Sequence, residues 1–203
     1  GGPARSFPVT YACQLAGATV SSGTVDVSPD APVTIPGVPA SSTCEVTGED
    51  QAAADGDFAD ASYSWDGHTA SDPVSIRNNA TSTLVVTNHF RRDLVTLHLA
   101  KTVTGSGYAG SGADFHLGYD CGAPYTGSVD LADGGSQAVT VPAGVACTVT
   151  ESAPSGDLLR PGYVWDDATY SGLSDGTVVV PRGGSATVTV TNATTAVYGT
   201  LAV

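Results

Sequence analysis

Lys101, Glu151 and Asn192 could react with one another if the fold brings them together. Lys101 is the only lysine among 203 residues and lies within TLHLAKTVTG, Thr96 to Gly105. Successive side chains of a strand point to opposite faces, so Val95, Leu97, Leu99, Lys101 and Val103 share one face and the ammonium points into the core. The segment C-T-V-T-E from Cys147 puts Glu151 in phase with Cys147 and Val149, and V-T-V-T-N puts Asn192 in phase with Val188 and Val190. An isolated buried charge costs many kcal/mol, so this lysine must be paired, neutralised or consumed. Desolvation favours the neutral amine, which is nucleophilic, and a carboxyl beside it can polarise the Asn carboxamide. Attack on that carbonyl expels ammonia and leaves an isopeptide bond. The alternative is a buried Lys101–Glu151 salt bridge with Asn192 hydrogen-bonded to it.

The elements that must position these residues are written twice in the chain. SFPVTYACQL from Ser6 matches DFHLGYDCGA from Asp114, GTVDV at 23 matches GSVDL at 127, PVTIP at 32 matches AVTVP at 138, and CEVT at 44 matches CTVT at 147. YSWD at 63 and LVVTN at 84 match YVWD at 163 and VTVTN at 188. Blocks in the same order, offset by about a hundred residues, mean two copies of one domain. The expected organisation is a repeat over 6–90, a second over 91–194 and a tail over 195–203. Short alternating segments separated by Gly, Pro, Ser and Asp, with no convincing amphipathic helix, predict an all-β chain of two tandem Ig-like β-sandwich domains. Trp65 and Trp165 are expected as core anchors.

The four cysteines allow three connectivities, and the repeat selects Cys13–Cys44 and Cys121–Cys147. Each is expected to cross the core of its own domain and to stabilise it by roughly 3 to 4 kcal/mol. Paired cysteines imply an oxidising, extracellular setting. Seven basic residues against twenty acidic ones, a net charge of -13, argue against nucleic acid and anionic membranes as partners. No apolar run approaches the roughly 20 residues that span a bilayer, so no membrane insertion is expected. The absence of Met and the opening Gly1-Gly2-Pro3 suggest a piece of a longer protein.

The first copy differs from the second. Gly48 holds the phase of Glu151, Glu49 is expected on the opposite face, and there is no lysine. Because Phe7 aligns with Phe115, the strand equivalent to Val95–Val103 is missing, and this copy is expected to be one strand short and unable to form the bond. The tail TTAVYGTLAV repeats the phase of that strand through Val197, Gly199, Leu201 and Val203, as though it opened a third repeat. Val197, Leu201 and Val203 are therefore expected to donate a strand to the first repeat of another copy, giving filaments.

LAKTVTG, the acid-bearing TESAPSGDLLRPGY at 150 to 163 and the terminal TVTN resemble the Lys, E-box Glu and Asn of the CnaB-like (SpaA-type) domains of Gram-positive pilins and adhesins. The F-x-x-x-Y-x-C, C-x-V-T and Y-x-W blocks in tandem resemble the actinobacterial surface-protein repeats of the DUF5979 family. This resemblance covers essentially the whole chain. It implies that Lys101 and Asn192 are the bonded pair and Glu151 the catalyst. The function it implies is a structural stalk or shaft of a cell-surface protein or filament, with other copies or neighbouring repeats as partners. The alternative is an adhesin module that captures a host protein or glycan through loops such as Asp50 to Ala61.

Other constellations carry less. Gly172-Leu173-Ser174-Asp175-Gly176 fits G-x-S-x-G but reads as a turn between strands, so no hydrolase is expected and no enzyme beyond self-cross-linking. His68, His89, His98 and His116 are scattered, and Asp50, Asp55, Asp57 and Asp60 lack EF-hand spacing, so neither a metal nor a cofactor is expected. Asn79 and Asn192 begin glycosylation sequons, the second expected to be buried.

Overall fold

The computed structural model describes residues 6–29, 31–49 and 62–203. The acidic residues Asp50, Asp55, Asp57 and Asp60, and with them the whole of the candidate adhesive loop from Asp50 to Ala61, lie outside the described residues. The chain divides into two compact units, residues 1–92 and 93–203. Among the described residues both are built of strands, with one 3-10 turn at Gly156–Leu158.

Unit 1 contains β1 (Phe7–Leu15), β2 (Ala18–Val27), β3 (Thr43–Glu49), β4 (Tyr63–Ala70), β5 (Val74–Ser75) and β6 (Val86–Arg92). Four form a sheet in the order β2-β1-β3-β5, and β4 pairs with β6. Unit 2 contains β7 (Leu94–Thr104), β8 (Phe115–Asp120), β9 (Thr126–Leu131), β10 (Ser136–Pro142), β11 (Ala146–Glu151), β12 (Tyr163–Trp165), β13 (Thr169–Ser171), β14 (Val178–Val179) and β15 (Ser185–Ala196). One of its sheets runs β10-β7-β15-β12 with β13 also on β15, and the other runs β14-β11-β8-β9. The first and last strands of the unit, β7 and β15, are adjacent and parallel, from Ser185 opposite Thr96 to Ala193 opposite Thr104.

Alternation fixes which side chains meet between the two sheets of unit 2. Leu97 and Leu99 of β7, Val188 and Val190 of β15, and Leu117 of β8 are fully buried. Trp165 packs against this core, edge-on to Phe115 with ring centroids 6.1 Å apart, and its Nε1 donates to the Ser155 carbonyl at 3.0 Å. Trp65 lies between Phe7 and Phe90, at 6.2 and 5.6 Å.

Both disulfides, Cys13–Cys44 and Cys121–Cys147, are formed. They do not cross the core from sheet to sheet. Cys13 and Cys44 are direct partners on the neighbouring strands β1 and β3, and Cys121 and Cys147 extend the β8–β11 pairing by one step from Asp120 opposite Thr148. Directly opposed residues of an antiparallel pair bring their Cβ atoms within bonding reach of two sulfurs, so each disulfide staples two strands of one sheet.

The G-x-S-x-G match is a turn. Ser174 and Thr177 exchange backbone hydrogen bonds at 2.7 and 3.0 Å around Asp175 and Gly176, both at positive φ. That is the Asp-Gly hairpin signature. PVTIP at 32 matches the sequence of β10, yet residues 32–40 form no strand.

Candidate cross-linking site

The interior of unit 2 brings Lys101, Glu151 and Asn192 into one buried cluster. Lys101 and Asn192 project inward from β7 and β15, and both are 1% exposed. The parallel register sets Lys101 opposite Val190, so Asn192 occupies the next inward position along the neighbouring strand. Glu151 reaches Lys101 from β11 in the facing sheet, with the Lys101 Nζ 3.0 Å from its Oε1. The ammonium also donates to the carbonyls of Thr102 and Val190 at 3.4 Å each, and sits 4.6 Å from the centroid of the Phe115 ring. The Tyr170 hydroxyl accepts the Glu151 backbone N–H at 3.1 Å and steadies the end of β11.

Burial lowers the Lys101 pKa from its ordinary value, against the opposing pull of the Glu151 carboxylate and, more weakly, of Asp133. An amine so placed reaches its neutral, nucleophilic form more readily than one in water. Neither polar atom of the Asn192 carboxamide has a hydrogen-bond partner among the described residues. A buried carboxamide without partners is costly, and the hydrogen bond expected of it in a purely ionic cluster is not made. Amine, acid and carboxamide all lie in the buried interior of unit 2, shielded from bulk solvent.

The shifted amine has a consequence for stability. In an Asn192→Ala protein Lys101 remains titratable, and the unfolded chain holds its proton more firmly than the folded one. Stability should therefore rise with pH through the window below the ordinary lysine value of 10.5, with a slope of at most about 1.4 kcal/mol per pH unit. Urea denaturation between about pH 7 and pH 10 measures it, and Lys101→Met in the same background should abolish it.

In unit 1 the sequence expectation for Glu49 is corrected. β3 carries a bulge at Thr47: Tyr11 pairs with Val46, whereas Thr10 pairs with Gly48 and Val9 with Glu49. The extra residue flips the phase, and the Glu49 side chain is fully buried. Its Oε1 accepts from Asn88 Nδ2 at 2.9 Å, and its Oε2 lies 3.5 Å from His68 Nδ1. Glu49 opposite Val9 is the counterpart of Glu151 opposite Leu117.

The remaining candidates do not converge. His98 lies on the outward phase of β7, and exposed His116 pairs with Asp130 across β8 and β9 at 2.8 Å. No group of three metal-ligating side chains occurs among the described residues. Asn79 is exposed, whereas Asn192 is sealed in the core. Residues 197–203 form no strand, and Val197, Leu201 and Val203 are exposed. Among the described residues no helix is long and apolar enough to cross a membrane.

Fold and site define a tandem all-β module with a lysine, glutamate and asparagine cluster sealed inside its second unit. The chain belongs to the family described as Domain of unknown function (DUF5979), whose model matches residues 1–91 and again 97–195. No curated protein matches it in sequence. Among solved structures it is similar to a Mobiluncus mulieris adhesin containing intramolecular disulfide, isopeptide and ester bond cross-links, at 13% identity and a TM-score of 0.43 over 95% of this chain and 86% of that one. It is also similar to the major pilin protein T3.2 of Streptococcus pyogenes, at 14% identity and a TM-score of 0.40 over 94% and 92% of the two chains. A third is the pilus adhesin SpaC of Lactobacillus rhamnosus GG, at 13% identity and a TM-score of 0.36 over 97% of this chain and 30% of that one.

Proposed function

We propose that this chain is a shaft module of an extracellular surface protein or filament, made to carry tension along its length, and that repeats of its kind complete one another by strand donation. One observation carries the reading: Lys101 and Asn192 lie inward on the first and last strands of unit 2, adjacent and parallel, with Glu151 against the amine. The neutral Lys101 amine attacks Asn192 Cγ, the bond from Cγ to Nδ2 breaks, and ammonia leaves with the proton that Glu151 relays from Nζ. The resulting amide reroutes force. Tension entering at Asp93 passes along β7 to Lys101, crosses to Asn192 and leaves along the end of β15. Residues 102–191 stay out of the load path. The disulfides suit the same extracellular setting.

Single-molecule pulling under reducing conditions tests this. A Glu151→Ala chain should release residues 102–191 when unit 2 unfolds, on the order of 300 Å at roughly 3.4 Å per residue, and the wild type should lack that step. The same release from the wild type would overturn the load-bearing role.

A further inference from the structure

The two disulfides are alike in connectivity and differ in what tension does to them. Cys121 and Cys147 fall between Lys101 and Asn192, inside the stretch that the proposed cross-link takes out of the load path. Unit 1 holds no lysine, so no bond of that kind shelters Cys13–Cys44. Its strand β1 pairs with β2 and β3, whereas β6 pairs with β4. Tension entering at Phe7 and leaving at Arg92 is therefore resisted by hydrogen bonds and packing until it reaches the disulfide.

Cys13 and Cys44 are 1% and 4% exposed, so a reductant in solution does not reach the sulfurs of the folded unit. Two groups of side chains cover them. Val25, Ile35 and Val38 lie within residues 14–43, the loop that the disulfide closes, and Val74, Ile76 and Leu84 lie beyond Cys44 in the chain. Val74 stands directly opposite Cys44, on a strand that meets β3 through two residue pairs. Tension draws out the residues beyond Cys44 and leaves residues 14–43 behind the bond. Opening the unit thus strips the second group from the sulfurs while the S–S bond comes to carry the load.

We infer that Cys13–Cys44 is a tension-gated reaction site for small thiols, which keeps residues 14–43 in reserve and releases them as added length when a thiol cleaves it, while Cys121–Cys147 stays sheltered. The inference rests on the load-bearing reading of unit 2 above and adds a reactive site in unit 1. A thiolate attacks Sγ of one cysteine and the Cys13–Cys44 bond breaks. The attacking sulfur is oxidised into a mixed disulfide, and the other cysteine leaves as a thiolate and takes a proton from water. The opened chain then lengthens by 31 residues, about 105 Å at roughly 3.4 Å per residue.

Force-clamp measurement on the 203-residue chain held by its two ends, with reduced glutathione as the probe, tests this. Without thiol, unit 1 should open in a step that lacks residues 14–43. With thiol, one further step of about 105 Å should follow, at a rate proportional to the thiol concentration. A chain carrying Cys13→Ser and Cys44→Ser should show no thiol-dependent step and should release the added length when unit 1 first opens. The same glutathione without force, followed by alkylation and intact mass, should leave Cys13, Cys44, Cys121 and Cys147 unlabelled. Labelling of Cys13 and Cys44 at rest would overturn the gating, and absence of the thiol-dependent step under load would overturn the site. A second thiol-dependent step of about 90 Å, from the 26 residues closed by Cys121–Cys147, would show that the unit 2 bond is missing and would overturn the shelter, leaving the unit 1 site standing.

Discussion

A Glu151→Ala protein is expected to retain the ammonia that the wild type loses and to melt roughly 20 °C lower or more. Beyond the two hydrogens lost per disulfide, the intact wild-type mass should fall short of the sequence by one ammonia, and the variant's mass should not. The thermal effect follows from chain entropy. A bond from Lys101 to Asn192 closes a loop of about 90 residues in the unfolded chain, which the entropic model sets at about 4 to 5 kcal/mol. For a domain of this size each kcal/mol moves the midpoint by roughly 4 to 8 °C. Glu151→Ala also strands the Lys101 charge in the core, adding the cost of an uncompensated ion. Lys101→Met removes amine and bond together, so its loss of heat stability isolates the cross-link. Equal shortfalls from the sequence mass, or none in either protein, would remove the Glu151-catalysed bond. With none, the ion pair at 3.0 Å is what remains.

The cluster was legible because alternation within β7, β11 and β15 is unbroken. Each inward phase can be counted from a neighbouring apolar residue, and the same counting placed the cysteines. Strand order is not contained in that phase. The pattern that turned Cys13 and Cys44 inward could not tell a bond between two sheets from one between neighbours in a single sheet. Glu49 was misplaced for a different reason. One added residue in a strand inverts every later side chain, and the bulge at Thr47 does this between Val46 and Gly48. The signal was present as T-G-E in the first repeat against T-E in the second, visible only if the alignment admits a one-residue gap. PVTIP at 32 has the composition of a strand and fails to form one because a strand is stabilised by its partners. In unit 2 that partner is β7.

Strand donation predicts that the full chain associates and that a chain ending at Thr195 does not. Residues 197–203 have the pattern required. With Thr200 set on the position of Thr96, Gly199, Leu201 and Val203 take the inward places of Val95, Leu97 and Leu99, and Leu201 arrives opposite Val33. In the isolated chain Leu201 is 86% exposed and Val203 fully so, while Leu84 and Val86 are incompletely covered. Burying such side chains stabilises by roughly 1.5 to 3 kcal/mol each, and pairing both edges of the added strand satisfies backbone groups as well. Residues 197–203 carry no lysine, so this association is non-covalent and reversible on dilution. A tail serving the front of the next molecule is a heterologous contact, which grows into open chains unless rotation closes a ring. Light scattering across a concentration series should therefore give a rising mean mass for the full chain and a constant monomer mass for the shortened one. Leu201→Asp, which leaves the rest of the tail in place, should behave as the shortened chain. Monomers from all three proteins at every concentration would show that the tail does not fill the first unit.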